Sequence, residues 1–287
     1  MAHFAYVNGR YVDHRRASVH VEDRGYQLAD GVYEVVGVRD GRLIDEALHL
    51  DRLDRSLREL RIAWPVSRAI LSFVIRELMR RNCLRDGLVY MQVTRGVARR
   101  EHAFPTAPVK PALVVTTKNT KRLDADAGVG VGVKSEPDIR WDRCDIKSVA
   151  LLPNVLAKQA ARESGAYEAW LVDDKGCVTE GASTNAWIVT PAGELVTRHT
   201  DNGILAGITR HTLKTLAHSL QLNLVERPFT LAEAKRAREA FLTSATSFVT
   251  PVVKIDGEKV GDGKPGPMAR RLREEYVRFA SAGEQVT

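Results

Sequence analysis

Short turn-forming dipeptides divide this chain into hairpins. Asn8-Gly9 separates FAYV from RYV, Asp40-Gly41 turns a β-branched run back into RLI, and Asp256-Gly257 ends a third apolar run. Asn-Gly and Asp-Gly favour two-residue turns because both positions tolerate positive φ angles. Strand-like and helix-like segments occur in both halves without the steady strand–helix alternation of a parallel sheet. The sequence therefore predicts an α+β fold with mixed, largely antiparallel sheets.

The periodicity of apolar residues predicts the individual elements. Strands are predicted over residues 4–12 (a hairpin), 32–38, 88–94, 112–117, 129–133, 167–172, 177–189, 240–243 and 249–255. Helices are predicted over residues 46–62, 67–82, 153–164, 207–220, 230–238 and 268–280. Ser67 is a favourable N-cap for the second helix, whose predicted apolar face is Ile70, Phe73, Val74 and Leu78.

A polar stretch near the middle predicts two domains. The 287 residues suffice for one large domain or two smaller ones. Residues 118–126 lack a periodic pattern, so we expect an N-terminal domain over 1–118, a linker over 119–126 and a C-terminal domain over 127–287. The segment 95–111, a long loop with three prolines, joins two predicted strands. Such loops on rigid scaffolds are frequently functional.

Composition excludes several classes of protein. No apolar run is long enough for a membrane span, and the N-terminus lacks a signal-peptide pattern. Cys83, Cys144 and Cys177 are widely separated, which indicates neither a disulfide framework nor a zinc site and favours a reducing cytoplasm. The net charge is +7, but basic residues alternate with acidic ones on predicted helices. We therefore expect no nucleic-acid partner, no membrane partner and no metal.

One lysine lies in a setting suited to carbonyl chemistry. The stretch 140–158, RWDRCDIKSVALLPNVLAK, contains Lys147 just ahead of a helix that Pro153 can help to start. A lysine amine forms Schiff bases when burial or a nearby cation such as Arg143 lowers its pKa. Downstream, Glu180 in TEGASTN supplies a carboxylate that can keep a pyridine nitrogen protonated. Together these residues suggest pyridoxal phosphate.

A phosphate site is predicted at a helix start. The segment LAGITR, residues 205–210, would place the backbone amides of Ile208 and Thr209 and a hydroxyl at a helix N-terminus. Arg52, on the first long predicted helix, can add a positive charge, and Ser244 can add a hydroxyl.

A carboxylate site is predicted in the long loop. Arg100 and His102 lie two residues apart, so their side chains can point the same way. An arginine binds a carboxylate through two parallel hydrogen bonds, and an imidazole can add a third. Tyr33 can present its hydroxyl to the same group.

The order of these motifs resembles a known family. The segments are EDRGYQLADGVYEVV, HLDRL, VTRGVARREHAFP, IRWDRCDIKSVALLPNVLAKQ, VTEGASTN, GILAGITR, PFTLAEA and FLTSATSFVTPV. Together they look like the D-amino-acid aminotransferases, which are class IV aminotransferases of the type IV pyridoxal-phosphate fold. The resemblance runs from about Tyr6 to the last predicted helix, and it implies a two-domain fold with the cofactor between the domains.

The resemblance also implies a role for each matching residue. Lys147 matches the lysine that holds the cofactor as a Schiff base and shuttles the substrate proton, and Glu180 matches the carboxylate on the pyridine nitrogen. The remaining cofactor-binding set is Arg52, Ile208, Thr209, Ser244 and Ala245 for the phosphate and Leu205 against the ring. Arg100, His102 and Tyr33 match the trap for the substrate α-carboxylate. The loop with Arg100 and His102 comes from the other subunit in the family, so a homodimer is implied.

The implied reaction moves an amino group from a D-amino acid, with D-alanine as donor, to 2-oxoglutarate, giving a 2-oxo acid and D-glutamate. Two positions depart from the family pattern: Ala245 replaces a threonine of the TSTTS segment, and Gly37 replaces a larger residue. Three alternatives stay open, namely a branched-chain L-amino acid aminotransferase, an aminodeoxychorismate lyase and a basic nucleic-acid-binding protein. The Arg100-x-His102 pair favours the D-enzyme.

Overall fold

The structure, a computed structural model, describes residues 3–120 and 129–282. These residues form two compact units. The first comprises residues 3–120 together with Ile146–Ala150, and the second comprises residues 129–145 and 151–282. The segment that contains Lys147 thus groups with the first unit. The predicted linker, 119–126, lies mostly outside the described residues, and the predicted domain limits stay predictions.

The first unit is built on an antiparallel sheet. Its strands are β1 (Phe4–Val7), β2 (Arg10–Asp13), β3 (Gly31–Arg39), β4 (Arg42–Leu43), β5 (Gly87–Thr94) and β6 (Ala112–Asn119). Among the described residues these six strands are ordered β2-β1-β6-β5-β3-β4, and every neighbouring pair is antiparallel. Both hairpin turns predicted in this unit are confirmed, with φ angles of 47° and 97° at Asn8 and Gly9 and of 49° and 78° at Asp40 and Gly41.

Within the described residues, the first unit has three α-helices, α1 (Arg24–Leu28), α2 (Glu46–Glu59) and α3 (Arg68–Arg81), and a short 3-10 helix over His14–Arg16. Ser67 caps α3 as predicted by accepting a hydrogen bond from the Ile70 amide. The predicted apolar face of α3 was partly wrong, because Ile70 and Phe73 are exposed. The buried side chains are Leu71, Val74, Ile75, Leu78 and Met79. The helix face through Ile70 and Phe73 also contains the charged Glu77, whereas the face that is buried contains only apolar residues. The helix therefore turns the second face towards the core.

The second unit contains a larger mixed sheet. Its strands are β7 (Val131–Pro137), β8 (Glu168–Val172), β9 (Val178–Gly181), β10 (Asn185–Val189), β11 (Leu195–Thr197), β12 (Leu224–Glu226), β13 (Glu239–Ser244), β14 (Phe248–Ile255) and β15 (Glu258–Lys259). Within the described ranges the order is β12-β11-β10-β13-β14-β7-β8-β9, with β15 beside β14. The pairs β7–β8, β7–β14 and β11–β12 are parallel and the others antiparallel.

The helices of the second unit are α4 (Leu152–Glu163), α5 (Ile208–Ser219), α6 (Leu231–Lys235) and α7 (Pro267–Ala282). Trp187 of β10 and Phe241 of β13 stack with ring centroids 5.5 Å apart and share a core with Leu213 of α5. Ile188 and Leu242 belong to a second core. The sheet is therefore buried on two faces, and apolar packing fixes α5 against it.

The predicted strand over 177–189 is two strands, because a turn at 182–184 separates β9 from β10. The Gly181 amide donates to the Thr184 carbonyl at 2.7 Å. A Cβ at Gly181 would lie 2.1 Å from Thr184 Oγ1, so the chain can turn this tightly only at glycine. The break leaves Glu180 next to the end of β9.

Candidate active site

Lys147 is fixed through its backbone to the start of β3. The Tyr33 amide donates to the Lys147 carbonyl at 3.0 Å, and the Val149 amide donates to the Gly31 carbonyl at 3.0 Å. The Lys147 amine lies 4.2 Å from the centroid of the Tyr33 ring, which is a cation–π distance. The structure thus brings together Lys147 and Tyr33, two of the predicted site residues.

A buried ion cluster lies on α2 and β3. Glu34 is fully buried, and its two carboxylate oxygens accept hydrogen bonds from Arg52 at 2.7 Å and 2.8 Å. His49 Nδ1 lies 2.8 Å from the same carboxylate. Arg52, predicted to contact a phosphate, is therefore held in a buried ion pair by residues that the sequence analysis did not select.

The charges in this cluster have defined protonation states. Burial alone would raise the pKa of Glu34, but the charge and hydrogen bonds of Arg52 and His49 outweigh it and hold the pKa well below its ordinary value. Burial lowers the pKa of His49, and the neighbouring Arg52 and Lys147 lower it further against the opposing effect of Glu34. At neutral pH the cluster is a carboxylate, a guanidinium and a neutral imidazole.

The loop between β5 and β6 exposes Arg100 and His102. In the described part of the first unit, no hydrogen bond or ring contact joins either side chain to Tyr33. Their backbone is nevertheless anchored, since the buried Arg24 donates to the carbonyls of Glu101 at 2.6 Å and His102 at 3.4 Å. The predicted carboxylate trap of Arg100, His102 and Tyr33 stays a prediction.

In the second unit, Glu180 is buried and oriented by three donors. Arg140 Nη1 donates to Glu180 Oε1 at 2.5 Å, and the Leu205 amide donates to the same oxygen at 3.1 Å. Asn185 Nδ2 donates to Oε2 at 2.9 Å and to the Leu205 carbonyl at 3.0 Å. The structure thus brings together Glu180 and Leu205, both predicted cofactor residues, and Asn185 orients both.

Arg140 ties Glu180 to a second carboxylate. Arg140 Nε and Nη2 donate to the two oxygens of Asp138 at 2.9 Å and 2.8 Å. Burial opposes the charge of Arg140, but Asp138 and Glu180 raise its pKa. One guanidinium between two carboxylates leaves a net negative charge, which suits a protonated ring nitrogen. The signal that could have found Arg140 was its place at the head of the stretch that contains Lys147.

The start of α5 has the features of an anion site. Its N-cap is Gly207, which makes no side-chain capping hydrogen bond. A Cβ at Gly207 would lie 2.0 Å from Asn185 Oδ1, so no larger residue fits. Ile208 and Thr209 occupy the first helical positions, where backbone amides and the helix dipole attract anions.

Ser244 is engaged within its own loop. Its hydroxyl oxygen accepts hydrogen bonds from the amides of Thr246 at 3.3 Å and Ser247 at 3.2 Å. It also lies 3.0 Å from Thr246 Oγ1 and 2.8 Å from Ser247 Oγ. Ala245 lies at the tip of this turn, half-buried. A phosphate contact by Ser244 or Ala245 stays a prediction.

The residues present fit pyridoxal phosphate. A half-buried lysine amine suits its aldehyde, a buried carboxylate with a fixed counter-charge suits its ring nitrogen, and a helix N-terminus that lacks a side-chain cap suits its phosphate. Among the described residues no group of three or more His, Cys, Asp or Glu side chains could hold a metal ion. The helices within those ranges include none that is both long and apolar enough to cross a membrane.

The family model for amino-transferase class IV matches residues 31–255, and the chain belongs to this family. The D-alanine aminotransferase of Staphylococcus haemolyticus is 42% identical over 275 residues, 96% of each chain. That of Bacillus licheniformis is 40% identical over 266 residues, 93% of each chain. The sequence resemblance and the predicted α+β fold are confirmed.

Solved structures show the same fold. The branched-chain amino acid aminotransferase of Escherichia coli aligns with a TM-score of 0.89 at 23% identity, covering 99% of this chain and 97% of that chain. A branched-chain enzyme from a T.th. strain, solved with pyridoxamine 5'-phosphate, aligns with a TM-score of 0.88 at 25% identity, covering 98% of this chain and 95% of that chain.

Proposed function

We propose that this aminotransferase transfers the amino group of D-amino acids, with D-alanine as donor, to 2-oxoglutarate, using pyridoxal phosphate. The observation that carries the proposal is the placement of Lys147, which is anchored to β3 with its amine over the Tyr33 ring. Its support is the similarity to D-alanine aminotransferases over 96% of the chain, against a likeness to branched-chain enzymes at 23% to 25% identity.

Lys147 is the proposed catalytic residue. Pyridoxal phosphate, when bound, supplies an electron sink for the charge that develops at the substrate α-carbon. Lys147 provides the amine that binds the aldehyde, and once released it takes the α-proton as a general base. The backbone hydrogen bonds to β3 fix the main chain at Lys147, which limits the positions that its amine can reach.

Glu180 is proposed to face the ring nitrogen and to keep it protonated. Arg140, Asn185 and the Leu205 amide hold the carboxylate in one orientation. Leu205 is proposed to pack against the ring. Because Glu180 and Asp138 share one guanidinium, the carboxylate retains negative charge for a cationic partner.

The phosphate is proposed to bind the amides of Ile208 and Thr209 at the start of α5 and the guanidinium of Arg52. Ser244 and the Ala245 backbone are proposed to add further contacts. Glu34 holds the side chain of Arg52, and His49 contacts the same Glu34 carboxylate.

Arg100, His102 and Tyr33 are proposed to bind the substrate α-carboxylate. Arg100 and His102 are exposed, which suits side chains that act in a partner subunit, and we propose a homodimer. A cytoplasmic location is proposed from the free cysteines, which a reducing compartment preserves.

One experiment tests the cofactor, the reaction and the handedness together. Visible absorbance spectra of the purified protein are recorded before and after D-alanine, and in a separate sample L-leucine. We expect a yellow band that D-alanine, but not L-leucine, converts to the pyridoxamine form. Lys147→Ala should show neither the lysine-dependent band nor turnover, whereas Lys175→Ala, at an exposed lysine in the turn before β9, should behave as wild type. Conversion by L-leucine alone would assign the chain to the branched-chain reaction.

A further inference from the structure

The loop that carries Arg100 and His102 has little regular structure of its own. Between Thr94 and Ala112 the chain makes an isolated bridge from Val97 to Asp23 and otherwise lacks strand or helix. A loop of this length would sample many conformations, and side chains that bind a substrate carboxylate need one. Contacts from elsewhere must therefore position it.

Arg24 makes such contacts with the backbone next to Arg100. Its side chain is only 2% exposed, unusual for an arginine. Nη1 and Nη2 donate to the carbonyls of Glu101 and His102, at 2.6 Å and 3.4 Å. Glu101 and His102 are the two residues that follow Arg100, so both hydrogen bonds hold the backbone beside the proposed carboxylate-binding side chains. A planar guanidinium can bridge two carbonyls in a way that a lysine ammonium cannot.

Asp30 links Arg24 to a second arginine. Asp30 Oδ2 accepts from Arg24 Nε at 2.8 Å and from Arg95 Nε at 2.7 Å, and Oδ1 accepts from Arg95 Nη2 at 3.0 Å. Burial opposes ionisation of Asp30, but Arg95 and Arg24 outweigh it and lower its pKa. The carboxylate is therefore charged at neutral pH and locks both guanidinium groups.

Arg95 fixes the loop at two more points. Its guanidinium lies 3.8 Å from the centroid of the Phe104 ring. Arg95 also donates to the carbonyls of Leu60 and Arg61, at the end of α2, at 2.7 Å and 2.9 Å. The loop is thus attached at its first residue and again at Phe104, just beyond His102.

We propose that Arg24, Asp30 and Arg95 form a positioning clamp that holds the backbone of residues 100–104, so that Arg100 and His102 present their side chains to the substrate carboxylate. This inference rests on the proposed carboxylate site. None of the three clamp residues contacts substrate in the proposal; they act through the loop.

The first test is Arg24→Lys, which keeps the positive charge but loses the two-carbonyl bridge. We expect KM for D-alanine to rise about ten- to a hundred-fold with a much smaller change in kcat. The reason is that a misplaced Arg100 would lose contacts that it makes equally with the bound substrate and with the transition state. Phe104→Leu, at a half-exposed site that tolerates change, should raise KM in the same direction by less.

A second readout does not depend on activity. Trypsin cleavage after Arg99 and Arg100 requires the loop to open locally. We expect Arg24→Lys to speed this cleavage by about ten-fold, since loss of the bridge increases the open population. The matched control is Thr117→Val in β6, which removes the acceptor of a buried hydrogen bond from Asn82 at the end of α3, away from the loop.

The outcomes separate the clamp from the proposed function. If Arg24→Lys matches Thr117→Val in both KM and cleavage rate, the clamp is wrong. In the Arg24→Lys/Arg100→Ala double variant, loss of Arg24 should add little to KM, because its effect passes through Arg100. An unchanged KM in Arg100→Ala alone would instead overturn the carboxylate site, and the cleavage rates would then decide the clamp by themselves.

Discussion

At the scale of single residues, Arg140 orients Glu180 in the proposed cofactor site. Its side chain is 7% exposed and pairs with two carboxylates, so its removal leaves Asp138 and Glu180 close together without their cation. We expect Arg140→Met to lower the free energy of unfolding by about 3 kcal/mol, the usual effect of breaking a buried pair. We also expect kcat to fall by about ten- to a hundred-fold, because Glu180 loses its orientation.

Chemical denaturation and steady-state kinetics check this prediction. The control is Arg198→Met, since Arg198 also pairs with two carboxylates, those of Asp173 and Asp201, in the same unit. The control should lose stability while kcat stays near the wild-type value. Equal losses of kcat in both variants would show that Arg140 has no special relation to Glu180.

His49 makes stability depend on pH. Its pKa is lowered from 6.5 by burial in the folded protein, so the unfolded chain binds the proton more readily. Its contribution is complete above about pH 6.5 and is lost as the pH falls towards the folded pKa, at up to about 1.4 kcal/mol per pH unit. The lowered pKa of Glu34 adds a further loss below about pH 4.5.

Denaturant titrations at intervals from pH 7.5 to pH 5 check this prediction. His49→Gln keeps a polar side chain near Glu34 but cannot titrate, so its stability should change less over this interval. Burial also lowers the pKa of His211. Because His211 is present in both proteins, its effect on stability cancels in the comparison. Parallel curves for the two proteins would contradict the assignment to His49.

Sequence reasoning selected Lys147 and Glu180 through long, ordered motifs, and their roles stay predictions; it did not select the residues that contact them in the structure. Glu34 lies inside a β-branched run, and a carboxylate in such a run signals a buried partner. His49 and Arg52 are three apart on α2 and therefore share the face that meets Glu34. Asn185 gave no local signal, because its role arises only when the sheet brings β10 beside Glu180. Arg140 could have been found only from its place at the head of the stretch that contains Lys147.

At the scale of elements, the start of α5 depends on a close approach between backbone and side chain. A Cβ at Gly207 would lie 2.0 Å from Asn185 Oδ1 and would displace Asn185 from Glu180 and Leu205. We expect Gly207→Ala to weaken binding of pyridoxal phosphate to the apoprotein by about ten-fold, through loss of this arrangement.

Fluorescence titration of the apoprotein with pyridoxal phosphate measures this change. The control is Gly132→Ala in β7, where a Cβ would meet only Lys254 Cβ at 3.9 Å. The control should bind the cofactor as wild type does, since alanine fits there without displacing a neighbour. If Gly207→Ala also binds normally, the first turn of α5 is not part of the phosphate site.

Elements were predictable where the signal was local. Asn8-Gly9 fixes its hairpin because both residues adopt positive φ, and Ser67 caps α3 within one turn. The break between β9 and β10 was missed although the polar segment EGASTN, residues 180–185, is a turn signal between two apolar runs. The close contact at Gly181 shows why the chain turns there. The three-residue strands β11 and β12 are too short to show a period, and their pairing defines them.

At the scale of the whole molecule, the proposed homodimer makes a prediction about mixed subunits. Lys147→Ala removes the proposed base, and Arg100→Ala removes the proposed carboxylate contact. If the loop with Arg100 serves the partner's Lys147, a heterodimer of the two variants holds one intact site. Subunits unfolded together in equal amounts and refolded should then recover about a quarter of wild-type activity, since half the dimers are mixed and each has one of two sites.

Sedimentation of each refolded sample establishes its oligomeric state before activity with D-alanine and 2-oxoglutarate is measured. The control pairs Lys147→Ala with Glu180→Ala. Both residues are proposed to serve the cofactor of their own subunit, so one subunit of each mixed dimer stays impaired at Lys147 and the other at Glu180. That control should recover nothing beyond the sum of its parents. If the mixture of Lys147→Ala and Arg100→Ala also recovers nothing, the loop acts within its own chain. The exposed Arg100 and His102 would then reach the substrate by movement of their own loop and not from a partner subunit.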